Sequence, residues 1–315
     1  MAVTLAQARL RLISRVRSAL GPDPFQPDPA RDVFLVSYPR SGNTWMRTAI
    51  AILQTGDDVR SIGDLDYIVP DIHHRVPRKR IRALPRYIVK SHFQLGSRMP
   101  SARYRRVIHL VRDPRDCVVS YFRYLRHTAR ENRAIDEFVI DCLAGRVWPC
   151  SWQEHVLSWT FRSALPPNHE ILTIRYEDFR AEPAITLQLV ARFLRLARPA
   201  STIDGVVAAT TLPRMREREA EGLRPTESST EPYFVGSARS GDWRELLSAQ
   251  SLEALRKFAG PAMEWFGYGW GDRDSVGSRF DGGRPVTAQP HALLLGDDEG
   301  VGSGGQRGVG PGAVA

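Results

Sequence analysis

Short apolar runs alternate with amphipathic stretches over residues 32–270. The continuous apolar run Val33–Val36 is typical of a parallel strand buried on both faces. Further strands are predicted over Tyr87–Lys90, Arg106–Val111 and Glu170–Tyr176. Between the runs, apolar side chains recur at helical spacing, as they do from Trp45 to Leu53. Alternating strand and helix predicts an α/β fold of three layers, with helices on both sides of a parallel sheet.

Turn residues and polar stretches mark where these elements begin and end. Asp113 and Pro114 follow the third run as an N-cap and a first helical residue. Residues 55–86 have no clear periodicity, which indicates short helices and loops along a sheet edge. Residues 213–240 are polar and charged, which predicts a long mobile loop over the functional site.

The two ends of the chain depart from this pattern. Residues 1–31 combine a basic amphipathic stretch with a Pro-rich lead-in, and arginines interrupt the apolar run that a secretory signal needs. We expect a helix packed on the domain or a frayed end, with binding at a membrane surface as the less favoured alternative. Residues 273–315 are Gly-rich without hydrophobic periodicity and are predicted to be disordered, which leaves residues 32–272 as one domain.

Composition narrows the class of protein. The 315 residues, 42% of them hydrophobic, suffice for one large core, and no apolar run approaches the length of a membrane span. A formal net charge of +9 at pH 7 predicts affinity for anions. The arginines are spread along the chain, where they serve a highly charged small molecule as well as nucleic acid. Three cysteines without a CxxC motif indicate neither a disulfide framework nor a zinc site, and they fit a reducing cytoplasm.

The turn after the first strand carries groups that bind anions. Tyr38–Thr44 reads YPRSGNT and leads from strand to helix. In such a turn, free backbone N–H groups and the positive end of the helix dipole point toward one site, where an anion can bind. Arg40 adds a full charge and Thr44 a hydroxyl. An ordinary strand–helix connection explains Gly42 but does not require Arg, Ser and Thr in one turn. The G-x-x-x-x-G-K-[ST] motif of P-loop nucleoside triphosphatases is missing, so the turn is predicted to bind phosphate without a metal.

Several segments resemble, in the family's order, the sulfotransferases that use 3′-phosphoadenosine 5′-phosphosulfate (PAPS). YPRSGNTW resembles the family's 5′-phosphosulfate-binding loop, and Arg112 with Ser120 in RVIHLVRDPRDCVVSYF resembles its 3′-phosphate-binding segment. IVKSHF resembles the segment that holds the catalytic base, here His92 with Lys90. SGDW, from Ser240, is similar to the C-terminal glycine segment that closes over the 3′-phosphate.

The resemblance covers about residues 32–270 and implies a P-loop-like sulfotransferase fold. It also implies an enzyme of the EC 2.8.2 class that moves a sulfuryl group from PAPS to a hydroxyl or amine without a metal. His92 would accept the acceptor's proton, while Arg40 and Lys90 stabilise the growing negative charge. The nucleotide-binding residues it implies are Arg40, Ser41, Gly42, Asn43, Thr44, Trp45, Arg112, Ser120, Tyr176, Thr210, Leu212, Arg239, Ser240 and Gly241.

The chain departs from the commonest family motifs in two segments. Arg40 and Asn43 stand where Lys and Thr are usual, and guanidinium and ammonium are not equivalent donors. Residues 235–239 replace a basic pair that precedes the glycine segment in the better-known members. Only Arg239 is basic there, and it falls outside the aligned pair. The sequence therefore does not identify the third anchor of the 3′-phosphate.

Some candidates also have a structural interpretation. Arg112 could form a salt bridge to Asp116 instead of binding phosphate. Trp152, Trp159 and Trp265 are expected in the core. The histidines without a comparable context are expected to be structural; they are His73, His74, His109 and His155.

Two other functions fit part of the pattern. One is a nucleotide kinase of P-loop-like fold, which a magnesium requirement would favour. The other is a non-catalytic adenine-nucleotide or nucleic-acid binding protein, which steeply salt-dependent binding would favour. We expect no nucleic-acid partner and an acceptor that is a small molecule, glycan or peptide with a hydroxyl. Residues 55–86, 123–150 and 213–235 are expected to line its pocket.

Overall fold

The computed structural model describes residues 32–59, 62–73, 84, 86–96, 105–129, 131–160, 169–221, 240–270, 280–281 and 284–285. The expected N-terminal helix, Arg239 and His74 lie outside the described residues. So does most of the predicted Gly-rich tail, in which Phe280–Asp281 and Arg284–Pro285 form a short antiparallel pair (β5 and β6).

A parallel sheet forms the centre of the fold. Its strands are β1 (Asp32–Ser37), β2 (Tyr87–Ser91), β3 (Arg106–Val111) and β4 (Glu170–Arg175). They lie in the order β2-β1-β3-β4, and each neighbouring pair is parallel. Every residue of β1, β2 and β3 is buried, which explains why the middle of β1, Val33–Val36, is continuously apolar rather than alternating. The predicted parallel sheet is confirmed.

Helices lie between β1 and β2, between β3 and β4, and after β4. They are α1 (Asn43–Thr55), α2 (Ile62–Ile68), α3 (Pro114–Ala129), α4 (Ile135–Leu143), α5 (Trp152–Thr160), α6 (Tyr176–Ala181), α7 (Pro183–Phe193), α8 (Ala200–Ala209), α9 (Leu212–Glu221), α10 (Trp243–Leu246) and α11 (Ala249–Trp265). The predicted start of α3 is confirmed, because the Asp113 carboxylate accepts the backbone N–H of Arg115 at 2.9 Å and Pro114 is the first helical residue.

Helix α9 contradicts the prediction of a loop from residue 213 onward. Its sequence is polar, yet one face of the helix is buried and carries Met215 and Arg218. The Arg218 guanidinium donates to the Val59 carbonyl at 3.1 Å and forms an ion pair with Asp58 at 2.5 Å. A charged side chain with such partners can line a core, so hydrophobic periodicity alone misses this helix.

Alternate residues of β1 face two different layers. Val33 and Leu35 pack in the cluster with α1, α7 and α8, whereas Phe34 and Val36 face the layer of α5. The Phe34 ring lies 5.7 Å from the ring of Trp159. The three-layer arrangement follows from this division of the buried side chains.

The carboxyl ends of all four strands of this sheet meet at one edge. The register pairs Ser37 at the end of β1 with Leu110 of β3, and pairs Val111 of β3 with Arg175 of β4. The residues that follow these ends are the ones singled out by sequence, and such an edge is where open parallel sheets bind ligands.

Candidate active site

The turn after β1 brings backbone N–H groups to the sheet edge. Gly42 adopts a φ of 85° as the N-terminal flank of α1, which begins without a side-chain cap. A Cβ at Gly42 would lie 2.5 Å from Cδ2 of Tyr176, so only glycine allows this approach. Arg40 also has a positive φ, 69°. The turn is therefore a strained connection held close to β4, and the start of α1 is open to an anion.

The side chain of Arg40 turns toward α3. Its Nε donates to Ser120 Oγ at 3.1 Å, and its guanidinium carbon lies 5.0 Å from the ring centre of Tyr124. Two residues predicted for opposite ends of one nucleotide are thus in direct contact.

Arg112 is buried at the end of β3 and joins several parts of the site. Its Nη1 donates to the Arg40 carbonyl at 3.0 Å, and its guanidinium carbon lies 4.4 Å from the ring centre of Tyr176. Its Nη2 is 4.0 Å from the carboxylate of Asp116. The salt bridge to Asp116, which the sequence offered as an alternative to phosphate binding, is present but long. The guanidinium group stays at the carboxyl end of β3.

Asp116 connects Arg112 with the glycine segment. Its carboxylate accepts the backbone N–H of Gly241 at 3.0 and 3.1 Å, where Gly241 has a φ of 98°. Burial raises the pKa of Asp116 to about 6, against the opposing charge of Arg112. The predicted pair Ser240 and Gly241 therefore lies beside Arg112.

Arg180 also reaches this segment, although nothing in its local sequence points to it. It lies on α6, and its Nη1 donates to Ser240 Oγ at 3.4 Å. Its charge acts on the phenol of Tyr176, as does that of Arg112. Ser240 and Gly241 are therefore flanked by two guanidinium groups.

His92 follows β2 and is half-buried. Its Nδ1 donates to the Ser37 carbonyl at 2.8 Å, since a carbonyl only accepts, and this leaves Nε2 without a proton. Asn43 Nδ2 donates to Ser37 Oγ at 2.9 Å, and this hydroxyl oxygen lies 3.4 Å from Nδ1 of His92. The start of α1 and the histidine are thereby joined.

Burial lowers the pKa of His92 well below its ordinary value near 6.5, and the charges of Lys90 and His73 lower it further. The imidazole is therefore neutral at neutral pH. A neutral ring with an unprotonated Nε2 can accept a proton.

Lys90 lies on β2, two residues before His92, and forms a buried ion pair. Its Nζ is 2.7 Å from the carboxylate of Asp71, which the sequence did not single out. Burial lowers the pKa of Lys90 against the opposing charge of Asp71.

His73 was expected to be structural, but it lies in the site. Its Nε2 accepts the backbone N–H of His92 at 3.0 Å, and its ring stacks on the His92 ring with centroids 5.8 Å apart. Phe93 and Trp148 add aromatic rings 4.7 and 4.9 Å from that of His73. No periodic pattern could show this, because the contact joins residues 19 apart in an irregular segment.

Trp45 and Tyr176, two of the predicted nucleotide-binding residues, lie at the starts of α1 and α6. The Trp45 ring stacks on Phe179 at 4.0 Å and meets Tyr176 edge-on at 5.8 Å. Thr210 ends α8, where its hydroxyl donates to the Val206 carbonyl at 2.8 Å. Of the remaining members of the set, Ser41 is buried in the turn and Thr44 is half-buried at the start of α1. Leu212 is half-buried at the start of α9.

Most of the residues expected to be structural lie in the core. His109 and His155 are fully buried, and Trp152 and Trp159 are buried to within a few per cent. Trp265 is half-buried and packs against the core. The three cysteines are buried and free. Within the part of the chain that the structure describes, no group of three or more His, Cys, Asp or Glu side chains could hold a metal ion. Over the same residues, no helix is both long and apolar enough to cross a membrane.

Comparison with known proteins agrees with this geometry. A sequence model of the sulfotransferase domain matches residues 30–267. Sulfotransferase 1A1 of Bos taurus is 24% identical over 261 residues, and the match covers 77% of this chain and 86% of the relative.

Solved structures show the same fold. Mouse sulfotransferase SULT7A1 complexed with PAP has a TM-score of 0.60 at 22% identity, over 77% of this chain and 87% of that one. Retinol dehydratase in a complex with retinol and PAP has a TM-score of 0.58 at 21% identity, over 76% and 82% of the two chains.

Proposed function

Because the chain belongs to the sulfotransferase family, we propose that it transfers a sulfuryl group from PAPS to a hydroxyl or amine of an acceptor. The observation that carries the proposal is a neutral histidine at the same sheet edge as an anion-binding turn. His92 Nδ1 is bound to the Ser37 carbonyl, and Ser37 is the last residue of the strand that leads into the turn. One strand therefore carries the contacts of both the proposed base and the proposed phosphate site.

The residues present fit an anionic adenine nucleotide. The start of α1 and the residues from Ser41 to Trp45 would hold the 5′-phosphate through backbone N–H groups and the Thr44 hydroxyl. Arg112 and Ser120 would hold the 3′-phosphate, since a guanidinium offers a forked set of donors. Trp45 and Tyr176 would contact the base, with Thr210 and Leu212 further along the pocket wall.

Arg180 would supply the cation that the glycine segment lacks. It already contacts Ser240, and Ser240 and Gly241 lie between it and Arg112. A phosphate held there would face two guanidinium groups instead of one guanidinium and a basic pair. Arg239 remains a predicted ligand whose position lies outside the described residues.

His92 would act as the general base. When bound, PAPS supplies the sulfuryl group and a phosphate leaving group. As the acceptor oxygen takes the sulfuryl group, its proton would pass to His92 Nε2, and the Ser37 carbonyl would steady the imidazolium that forms. Arg40 and Lys90 would stabilise negative charge on the transferring group, by analogy with phosphoryl transfer.

The buried ion pair of Lys90 and Asp71 would also help to keep the His92 imidazole unprotonated. The charge of Lys90 lowers the pKa of His92, and Asp71 partly offsets it. The pair thus keeps the base neutral while it holds Lys90 in place.

We propose a small hydroxyl compound with an apolar body as the acceptor. The rings of Phe93 and Trp148 lie beside the His73 and His92 pair and offer an apolar wall. The retinol in one structural neighbour is a small molecule of this kind, whereas a glycan or peptide would require a more polar wall.

The proposal is tested by binding and label transfer. Calorimetry should show tight binding of 3′,5′-adenosine bisphosphate without added metal, and incubation with ³⁵S-labelled PAPS and a panel of phenols and alcohols should label an acceptor. Binding of ATP but not of the bisphosphate, with transfer only in magnesium, would instead favour a kinase.

A further inference from the structure

His73 and His92 are joined by two contacts of different kinds. The His92 backbone N–H donates to His73 Nε2 at 3.0 Å. The two imidazole planes are inclined by only 13° with centroids 5.8 Å apart. Because Nε2 accepts this bond, the proton of His73 is on Nδ1. Protonation of His73 would therefore turn the acceptor into a donor and break the contact.

The segment that carries His73 is tied to the edge strand β2. Asp71 and Lys90 form an isolated parallel bridge, and the backbone of Lys90 bonds to the residues on either side of Asp71. The Asp71 carboxylate accepts the backbone N–H of His73 at 2.9 Å. His92 lies just beyond Ser91, the last residue of β2 that pairs with β1. The His73 ring thus gives His92 a backbone partner where the paired strands end.

We propose that His73 positions the base, by holding the His92 backbone at the end of β2 and by fixing the plane of its imidazole. His73 makes no contact with the reacting atoms in this role and acts only through His92. The inference rests on the proposed function, because it assumes that His92 Nε2 receives the acceptor's proton.

Trp148 packs edge-on against the rings of both His73 and His92. Its indole ring meets the His73 ring at 4.9 Å and 89°, and the His92 ring at 5.8 Å and 86°. The Tyr121 hydroxyl donates to the Trp148 carbonyl at 2.9 Å and holds that backbone in place. The imidazole rings therefore pack as a unit against an aromatic edge.

The groups that face His92 determine how a change at His73 alters its titration. Lys90 on β2 and His73 lower the pKa of His92, whereas Asp71 and the bond to the Ser37 carbonyl raise it. Removing the His73 imidazole removes a group that opposes protonation, so the pKa of His92 should rise. A raised pKa means that the base becomes protonated, and inactive, at a higher pH.

Two variants of the full chain separate the two contacts. His73→Gln keeps a hydrogen-bond acceptor that does not titrate, and His73→Phe keeps a stacking ring without an acceptor. His127→Gln changes an exposed histidine on α3 and is the matched control. The measurements are kcat and KM for label transfer from PAPS, the affinity for 3′,5′-adenosine bisphosphate, and an NMR titration of the His92 ring.

We expect His73→Phe to lower kcat about 10- to 100-fold, with bisphosphate affinity within about twofold of the native value. His73→Gln should lower kcat less than His73→Phe does. In both variants the acid limb of kcat and the NMR midpoint of His92 should move to higher pH. His127→Gln should match the native protein in every measurement.

Native kcat and an unmoved His92 midpoint in both His73 variants would overturn the inference. Parallel loss of bisphosphate affinity and thermal stability would also overturn it, because it would make His73 a structural residue. A native protein that labels no acceptor would contradict the proposed function. In that case the NMR titration still decides whether His73 controls His92.

Discussion

Arg40 Nε donates to Ser120 Oγ at 3.1 Å, which joins the turn after β1 to the middle of α3. The two residues are 80 positions apart in sequence. Each was predicted to hold a different end of the nucleotide, so the bond couples the two ends. Arg40 is thus held against α3 by this contact.

Ser120→Ala tests this coupling. Loss of the hydroxyl removes a hydrogen-bond donor to the phosphate and releases Arg40. We therefore expect the affinity for 3′,5′-adenosine bisphosphate to fall about tenfold, which is the scale of one hydrogen bond to a charged group. Calorimetry measures the effect. Thr128→Ala, which removes an exposed hydroxyl from the same helix, should leave affinity unchanged; equal losses in both variants would contradict the coupling.

Arg180→Ala tests the third anchor of the 3′-phosphate. We expect bisphosphate affinity to fall about tenfold and to depend less on salt, because one guanidinium no longer contacts the phosphate. Adenosine 5′-phosphate, which lacks the 3′-phosphate, should bind both proteins equally. Arg192→Ala removes an exposed arginine from α7 and serves as the control. An Arg180→Ala protein with native affinity for the bisphosphate would place the anchor elsewhere.

Gly42→Ala tests the close approach of the turn to Tyr176. A methyl group would lie 2.5 Å from the ring at a φ of 85°, so Tyr176 must move. We expect a loss of about 1–2 kcal/mol in unfolding free energy and clearly weaker bisphosphate binding.

Gly56→Ala is the matched control for that change. Gly56 has a similar φ of 76°, but nothing lies within 4 Å of the added Cβ. Its backbone strain should cost about 1 kcal/mol of unfolding free energy while nucleotide binding stays native. Urea denaturation and calorimetry compare the two variants, and weakened binding in both would show that strain alone is responsible.

Glu177→Gln tests a buried carboxyl beneath the site. Glu177 accepts the Tyr268 hydroxyl at 2.9 Å and the Asp113 backbone N–H at 3.2 Å, and burial raises its pKa to about 7. A raised pKa means that folding favours the protonated form, so this contribution to stability is lost as pH rises from about 4.3 through 7. The variant should therefore gain unfolding free energy relative to the native protein between pH 5 and 8, as measured by urea denaturation.

Glu253→Gln makes the same charge change on an exposed position of α11. Its difference from the native protein should not follow the same pH window. A Glu177→Gln difference that is flat from pH 5 to 8 would contradict the assigned burial effect.

The sheet and its edge were predictable because their signals are local. The run Val33–Val36 is continuously apolar since β1 is buried on both faces, and the Asp113–Pro114 pair marks the start of α3 by its own geometry. The turn after β1 could be singled out because its residues are consecutive. Their side-chain partners were not predictable, since Arg40 bonds across 80 residues.

The features that could not be predicted from the sequence depend on contacts between distant segments. His73 reaches His92 only because Asp71 pairs with β2, and Arg180 reaches Ser240 across 60 residues. Helix α9 was missed because Arg218 lines its buried face, where periodicity analysis looks for apolar side chains. Each omission concerns a polar group whose partner satisfies it after folding.

The central claim is that His92 is the base of a sulfuryl transfer. The most direct measurement is the rate of ³⁵S transfer from PAPS by the native protein and by His92→Ala, with bisphosphate affinity measured on both. We expect the variant to bind the bisphosphate within about threefold of the native affinity while its transfer rate falls at least about 100-fold. A His92→Ala protein that transfers the label at the native rate would contradict the account.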